Sequence, residues 1–243
     1  MGAAKSKEQD LTPYEFVQED WPWLWAIWEP ENLDWKIGLS DDEIQETARR
    51  QAKLPVPITE NLFLGNAFSV ESIEKLKARG ITAVLNMAGP MALKRKTIRA
   101  YKNHGIEYKQ IDGDDEFEYP LLQKHWLEAH DFIKSTTKDR TGKCVVHCVA
   151  GINRSGLIAA ACYMIETQSP VLESVKHVRK QRGNVAICNE GFQAQLVAFA
   201  RVHDLLGPQP GTEESIVKQA PPPAKGHWVL DPTARENPLD KLL

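Results

Sequence analysis

From residue 57 to residue 207 the chain alternates short apolar runs with amphipathic stretches, a pattern that predicts strands separated by helices. Leu62-Phe63-Leu64, Thr82 to Asn86, Tyr108 to Ile111 and Cys144-Val145-Val146-His147 read as strands. Val70 to Arg79, stopped by Gly80, reads as a helix, as does a basic stretch from Lys94 to Asn103. Leu121 to Thr136 follows, with Trp126, Ala129 and Phe132 at helical spacing, and further helices are predicted at Arg154 to Glu166, Val171 to Gln181 and Glu190 to Leu206. Strands and helices in this order specify an α/β fold with a central, mostly parallel sheet flanked by helices.

The two ends differ in composition from this span. Residues 1–56 hold five of the seven tryptophans (Trp21, Trp23, Trp25, Trp28, Trp35) and more acidic than basic side chains, so they are expected to form an extension with its own role. Ser40-Asp41-Asp42-Glu43 has the form of a capping box opening a short helix that ends before Pro55. Residues 208–243 carry seven of the fifteen prolines and too few apolar positions for a core, so this tail is expected to be disordered.

Charge and cysteine usage narrow the function. Lys and Arg number 30 against 33 Asp and Glu, which leaves no basic excess for a nucleic-acid partner. The four cysteines, Cys144, Cys148, Cys162 and Cys188, form no C-x-x-C pair and have no zinc-ligand spacing. They suit a reduced, cytoplasmic protein that needs no metal. No apolar run is long enough to span a bilayer, and the N-terminus lacks a secretory pattern.

The chemistry concentrates at His147-Cys148-Val149-Ala150-Gly151-Ile152-Asn153-Arg154-Ser155, between the apolar Cys144 strand and an apolar helix. A strand that turns through a short loop into a helix N-terminus makes an anion cradle. Backbone N–H groups of Val149, Ala150, Gly151, Ile152 and Asn153 supply the donors, and the helix dipole adds to them. Gly151 gives the turn a position without a Cβ penalty. The same field favours the thiolate, which is the nucleophilic form of a cysteine, so Cys148 is the candidate nucleophile. Arg154 presents a planar fork to two phosphate oxygens, a geometry lysine lacks. Ser155 places a hydroxyl where it can donate to the sulfur, and His147 suits bracing the loop better than proton transfer. A cysteine taken alone is usually a small buried hydrophobe, and that reading suits Cys144, Cys162 and Cys188.

The string His-Cys-x-x-Gly-x-x-Arg-Ser resembles the signature of the protein tyrosine and dual-specificity phosphatase superfamily. Leu62-Phe63-Leu64-Gly65-Asn66-Ala67, Gly80 to Asn86 and Asn189 to Leu196 also look like segments of the dual-specificity catalytic domain. The resemblance implies hydrolysis of phosphotyrosine, and of phosphoserine or phosphothreonine, through a phosphocysteine, with a phosphoprotein as substrate and no cofactor. It also implies an aspartate general acid upstream of the cysteine strand. Counting along the family pattern from Tyr108 places that acid at Asp115, with Asp114 as the runner-up and Asp112 also nearby. Two other readings stay open: an RNA 5′-triphosphatase, which usually has a second histidine where Ala150 stands, and a non-catalytic phosphopeptide-binding module. The uncharged loop argues for a simple phosphomonoester rather than a multiply charged head group.

Some features lie outside the loop. Met1-Gly2-Ala3-Ala4-Lys5-Ser6 fits N-myristoylation of Gly2, which would add membrane association to a cytoplasmic location. The cluster from Trp21 to Trp28 suits a lipid interface, packing onto the catalytic domain, or a protein partner. Arg179, Lys180 and Arg182 read either as contacts to a second phosphate or as a solvated helix face, the latter being favoured; Lys94, Arg95 and Lys96 pose the same choice.

Overall fold

The computed structural model describes residues 17–28, 53–138 and 141–210. The proposed helix after Ser40, Gly2, Trp35 and most of the proline-rich tail lie outside these residues. A short 3-10 turn, Gln18–Asp20, leads into α1 (Trp21–Trp28). The rest runs β1 (Val56–Pro57), β2 (Leu62–Asn66), α2 (Ile73–Ala78), β3 (Ala83–Asn86), α3 (Arg95–Asn103), β4 (Glu107–Gln110) and α4 (Leu121–Thr137). It closes with β5 (Cys144–Cys148), α5 (Arg154–Thr167), α6 (Val171–Arg182) and α7 (Glu190–Val202).

The five strands form one sheet in the order β1-β2-β5-β3-β4, with β1 antiparallel to β2 and the other pairs parallel. The expected α/β architecture is therefore present, with the cysteine strand at its centre. Every residue of β5 is buried, as is every residue of β3. Apart from Asn86 and His147, these are the apolar runs of strands covered on both faces.

Side-chain alternation along β5 divides the core in two. Cys144, Val146 and Cys148 face a large cluster with Leu64, Leu85, Leu157, Val175 and Phe192. Val145 faces a smaller one with Phe63, Val84, Leu76 and Tyr101. Helices α4 to α7 thus cover one face, while α2 and α3 cover the other.

Two helix limits differ from the expected ones by three residues or more, each for a capping reason. Helix α2 begins at Ile73 rather than Val70 because Ser72 accepts a bond from Lys75 N at 3.3 Å and acts as N-cap. Helix α7 stops at Val202 rather than Leu206. Asp204 turns left-handed with φ 58°, Leu205 N bonds Ala200 O at 2.8 Å and Asp204 N bonds Arg201 O at 3.2 Å, which is a Schellman closure.

The N-terminal tryptophan segment belongs to the same body. Leu24 and Ile27 of α1 are buried, and Ile27 joins the larger cluster, so the apolar core extends beyond the boundary expected at residue 57. Of the alternatives for Trp21 to Trp28, the structure shows packing onto the domain, against α6 and α7.

Candidate active site

The site lies where β5 ends and α5 begins. Cys148 is the last residue of the strand, opposite Asn66 of β2, and His147 stands opposite Asn86 of β3. The loop from Val149 to Asn153 then bends back over the end of β2. Gly151 has φ 68°, and a Cβ there would lie 2.5 Å from the carbonyl oxygen of Gly65. Only glycine meets both demands.

Four consecutive carbonyls of this loop are taken by donors outside it. Val149 O accepts from Ala67 N at 3.1 Å, and Ile152 O accepts from Ile187 N at 3.1 Å. Between them, Ala150 O and Gly151 O accept from Nη2 and Nε of Arg182 at 2.9 and 2.8 Å. In a trans peptide the next residue's N–H points opposite to the carbonyl. Carbonyls drawn outward therefore turn the N–H groups of Ala150, Gly151, Ile152 and Asn153 to the inner side, as an anion-binding nest requires.

This corrects the reading of the basic cluster at the end of α6. Arg182 is only 1% exposed and Arg179 4%, so neither forms a solvated face or a contact to a second phosphate. Arg182 grips the loop from behind, and Arg179 donates to Ala186 O and Ile27 O at 3.2 and 2.9 Å. Burial lowers the Arg179 pKa to about 10, still leaving the guanidinium charged at neutral pH. Lys180 alone of the three is exposed.

Around Cys148 the other residues take distinct places. The hydroxyl of Ser155, fully buried in the first turn of α5, donates to Cys148 Sγ at 3.2 Å. His147 is fully buried and its Nδ1 donates to Cys148 O at 3.2 Å. Burial lowers its pKa to about 4, so the ring is neutral at physiological pH. Asn153 accepts from Asn189 N at 3.0 Å and from Cys188 Sγ at 3.3 Å, joining the helix start to the segment before α7. Burial raises the Cys188 pKa, and the Cys144 thiol is raised to about 12 by the same cause.

Arg154 reaches across to the loop after β4. Its Nη1 donates to Gly113 O at 3.1 Å, and its Nε lies 3.6 Å from Asp115 Oδ2. Asp115 Oδ1 also accepts from Asn189 Nδ2 at 3.4 Å. Asp114 instead neighbours Tyr119, whose pKa is raised by burial first and then by Asp114 and Asp112. The acidic loop packs tightly onto α7: a Cβ on Gly191 would lie 1.9 Å from Phe117 O.

The structure thus brings Cys148, Arg154, Ser155, His147 and Asp115 together around the Val149 to Asn153 loop. Arg182, Asn153 as a tether and Asn189 were not singled out for these roles by their sequence positions. Only the spacing of Arg182 on an apolar-faced helix hinted at burial. Among the described residues no group of three or more His, Cys, Asp or Glu side chains is arranged to hold a metal ion, and no helix is long and apolar enough to cross a membrane.

Residues 62–202 match the family described as dual specificity phosphatase, catalytic domain. Human dual specificity protein phosphatase 26 is 33% identical over 140 residues, which is 58% of this chain and 64% of that protein. Human dual specificity protein phosphatase 5 is 35% identical over 145 residues, 60% of this chain and 35% of that protein. Among solved structures, that of DUSP15 has 25% identity and a TM-score of 0.51, covering 68% of this chain and 96% of the other. A mouse putative dual specificity phosphatase complexed with zinc tungstate shares the fold, with a TM-score of 0.53 at 23% identity, covering 70% of this chain and 98% of the other.

Proposed function

This chain belongs to the dual specificity phosphatase family, and from that premise we propose that it hydrolyses phosphotyrosine, and phosphoserine or phosphothreonine, in a phosphoprotein substrate. The observation that carries the proposal is the ring of four outward-held carbonyls beside Cys148, which presents a run of N–H donors to a phosphate without a metal.

In the first step Cys148 Sγ attacks phosphorus and the P–O bond to the substrate breaks. The loop N–H groups and the Arg154 fork stabilise the charge on the transferring group. Asp115 protonates the departing oxygen, a role supported by its place 3.6 Å from Arg154 Nε. In the second step water attacks the phosphocysteine, Asp115 as carboxylate takes its proton, and the S–P bond breaks to release inorganic phosphate. Ser155, donating to Sγ, stabilises the leaving thiolate. His147, neutral and bonded to Cys148 O, holds the strand end and takes no part in proton transfer.

Hydrolysis of p-nitrophenyl phosphate and of a phosphotyrosine peptide tests the reading. The wild-type chain turns both over, and Cys148→Ser abolishes turnover while retaining the fold by circular dichroism. Undiminished turnover by Cys148→Ser would refute the mechanism. Release of the γ-phosphate from triphosphate-ended RNA, with no action on phosphopeptides, would favour the RNA 5′-triphosphatase reading instead. Acylation of Gly2 is supported by the Met1-Gly2 to Ser6 pattern and would keep the enzyme near a membrane; incorporation of labelled myristate, lost in Gly2→Ala, checks it.

A further inference from the structure

Helix α1 packs against α6 and α7, and a relay of hydrogen bonds leads from its last turn to the phosphate-binding loop. The indole Nε1 of Trp28 donates to Oε1 of Gln193 on α7, and Nε2 of the same amide donates to Ile187 O at 2.7 Å. Ile187 N then donates to Ile152 O, the last of the four outward carbonyls. An indole can only donate and a carbonyl can only accept, so Trp28 and Ile187 together fix which way the Gln193 amide faces. A parallel link runs from Ile27 O through the Arg179 guanidinium to Ala186 O, one residue before Ile187.

Ile187, which one link reaches and the other reaches one residue short, is strained. Ile187 has φ 58°, a left-handed conformation in which a β-branched side chain is a genuine outlier. It is fully buried, and its Cγ1 would lie 3.2 Å from a Cβ on Gly156 in the first turn of α5. Such a conformation persists only where its surroundings over-determine it, and strain of this kind gathers where geometry serves a function. Here the surroundings are the Gln193 amide on the Ile187 carbonyl and Arg179 on the carbonyl before it. Both are held in turn by α1. Asp20, fully buried just before α1, anchors the helix through Arg201 Nε at 3.0 Å.

We propose that α1 is a positioning element for the phosphate-binding loop: Trp28 orients Gln193, Gln193 holds Ile187 left-handed, and Ile187 keeps the Ile152 carbonyl turned away from the anion. Gln193 and Trp28 are positioning residues that touch no substrate. They set the inward aim of the Asn153 N–H, the group that follows Ile152, and so the grip on phosphate. The inference rests on the loop's being the phosphate site described above.

The test uses the full chain, with inorganic phosphate as competitive inhibitor and p-nitrophenyl phosphate as substrate. Gln193→Met keeps the side-chain length but removes both bonds. The Ki for phosphate and the KM are expected to rise together by about tenfold, the scale of one lost buried hydrogen bond. Trp28→Phe, which keeps Gln193 and an aromatic ring, is expected to move both constants the same way by a smaller factor. A purely structural role would reduce the folded fraction, lowering Tm and apparent kcat with Ki and KM unchanged, and that result in either variant overturns the proposal. Should Gln193→Met not fold, Trp28→Phe decides by the same two constants. A wild-type chain that neither turns over substrate nor binds phosphate would refute the phosphatase reading itself, an outcome distinct from the failure of the positioning role.

Discussion

Asp115 and Asp114 are chemically identical and adjacent, yet their surroundings differ. Asp115 lies against Arg154 and Asn189, whereas the charge of Asp114 acts on Tyr119. A general acid contributes about 10²- to 10⁴-fold, whereas an exposed loop carboxylate contributes little. Asp115→Asn is therefore expected to lower kcat by about a hundredfold or more on an alkyl phosphate, and Asp114→Asn by no more than about threefold. Steady-state kinetics on the two variants side by side checks the assignment. A reversed order would transfer the acid role to Asp114. Counting along the family pattern from Tyr108 also favours Asp115, but only the position of Arg154 gives a physical ground for the choice. Arg182 shows the opposite case. In sequence it is one member of a basic run at a helix end, which usually means solvent. Its burial follows from two carbonyls, Ala150 and Gly151, that need donors because the loop has no partner strand there.

At the scale of elements, local signals were legible and docking was not. The limits of β5 and the start of α5 follow from an apolar run, a glycine-containing loop and an apolar helix, all contiguous in sequence. The α2 and α7 limits moved by a few residues because Ser72 and Asp204 cap or close a helix, contributions smaller than the apolar pattern around them. Helix α1 was visible only as a tryptophan cluster, since eight residues are too few to show a face unambiguously. Its seat depends on α6 and α7, more than 140 positions later in the chain. The Asp20–Arg201 pair is what identifies that seat: the carboxylate is fully buried and both its oxygens accept from Arg201 Nε, at 3.0 and 3.2 Å. Asp20→Ala is expected to destabilise the fold by about 1–3 kcal/mol, the scale of a lost hydrogen bond to a buried charged group. Urea titration followed by tryptophan emission measures it, and a change under about 0.5 kcal/mol would show that α1 is held by its apolar residues alone.

For the whole molecule, acid is the vulnerable direction. His147 has an ordinary pKa of 6.5, lowered to about 4 in the fold because burial disfavours the charged ring. The folded state keeps this ring neutral, while the unfolded chain takes up a proton below about pH 6.5. The stabilisation is thus fully present above pH 6.5 and is lost as pH falls toward 4, in total about 3 kcal/mol. Against a domain stability of about 5–15 kcal/mol this is a large share. His125, His130 and His203 are also lowered by burial and act in the same direction. Urea midpoints are expected to fall between pH 7 and pH 4.5, and less steeply in His147→Gln, which has no ring to protonate. Equal slopes in the two proteins would show that His147 is already solvated. The central position of β5 has a further consequence, in time rather than energy. A strand with neighbours on both sides and helices over both faces has no route to open by itself, so the amide protons of Val145 and Val146 exchange with deuterium only when the entire sheet comes apart. The exposed loop that carries Asp114 and Asp115 exchanges through its own small excursions. The Cys148 strand keeps the clock of the whole fold, and the Asp115 loop keeps a much faster one.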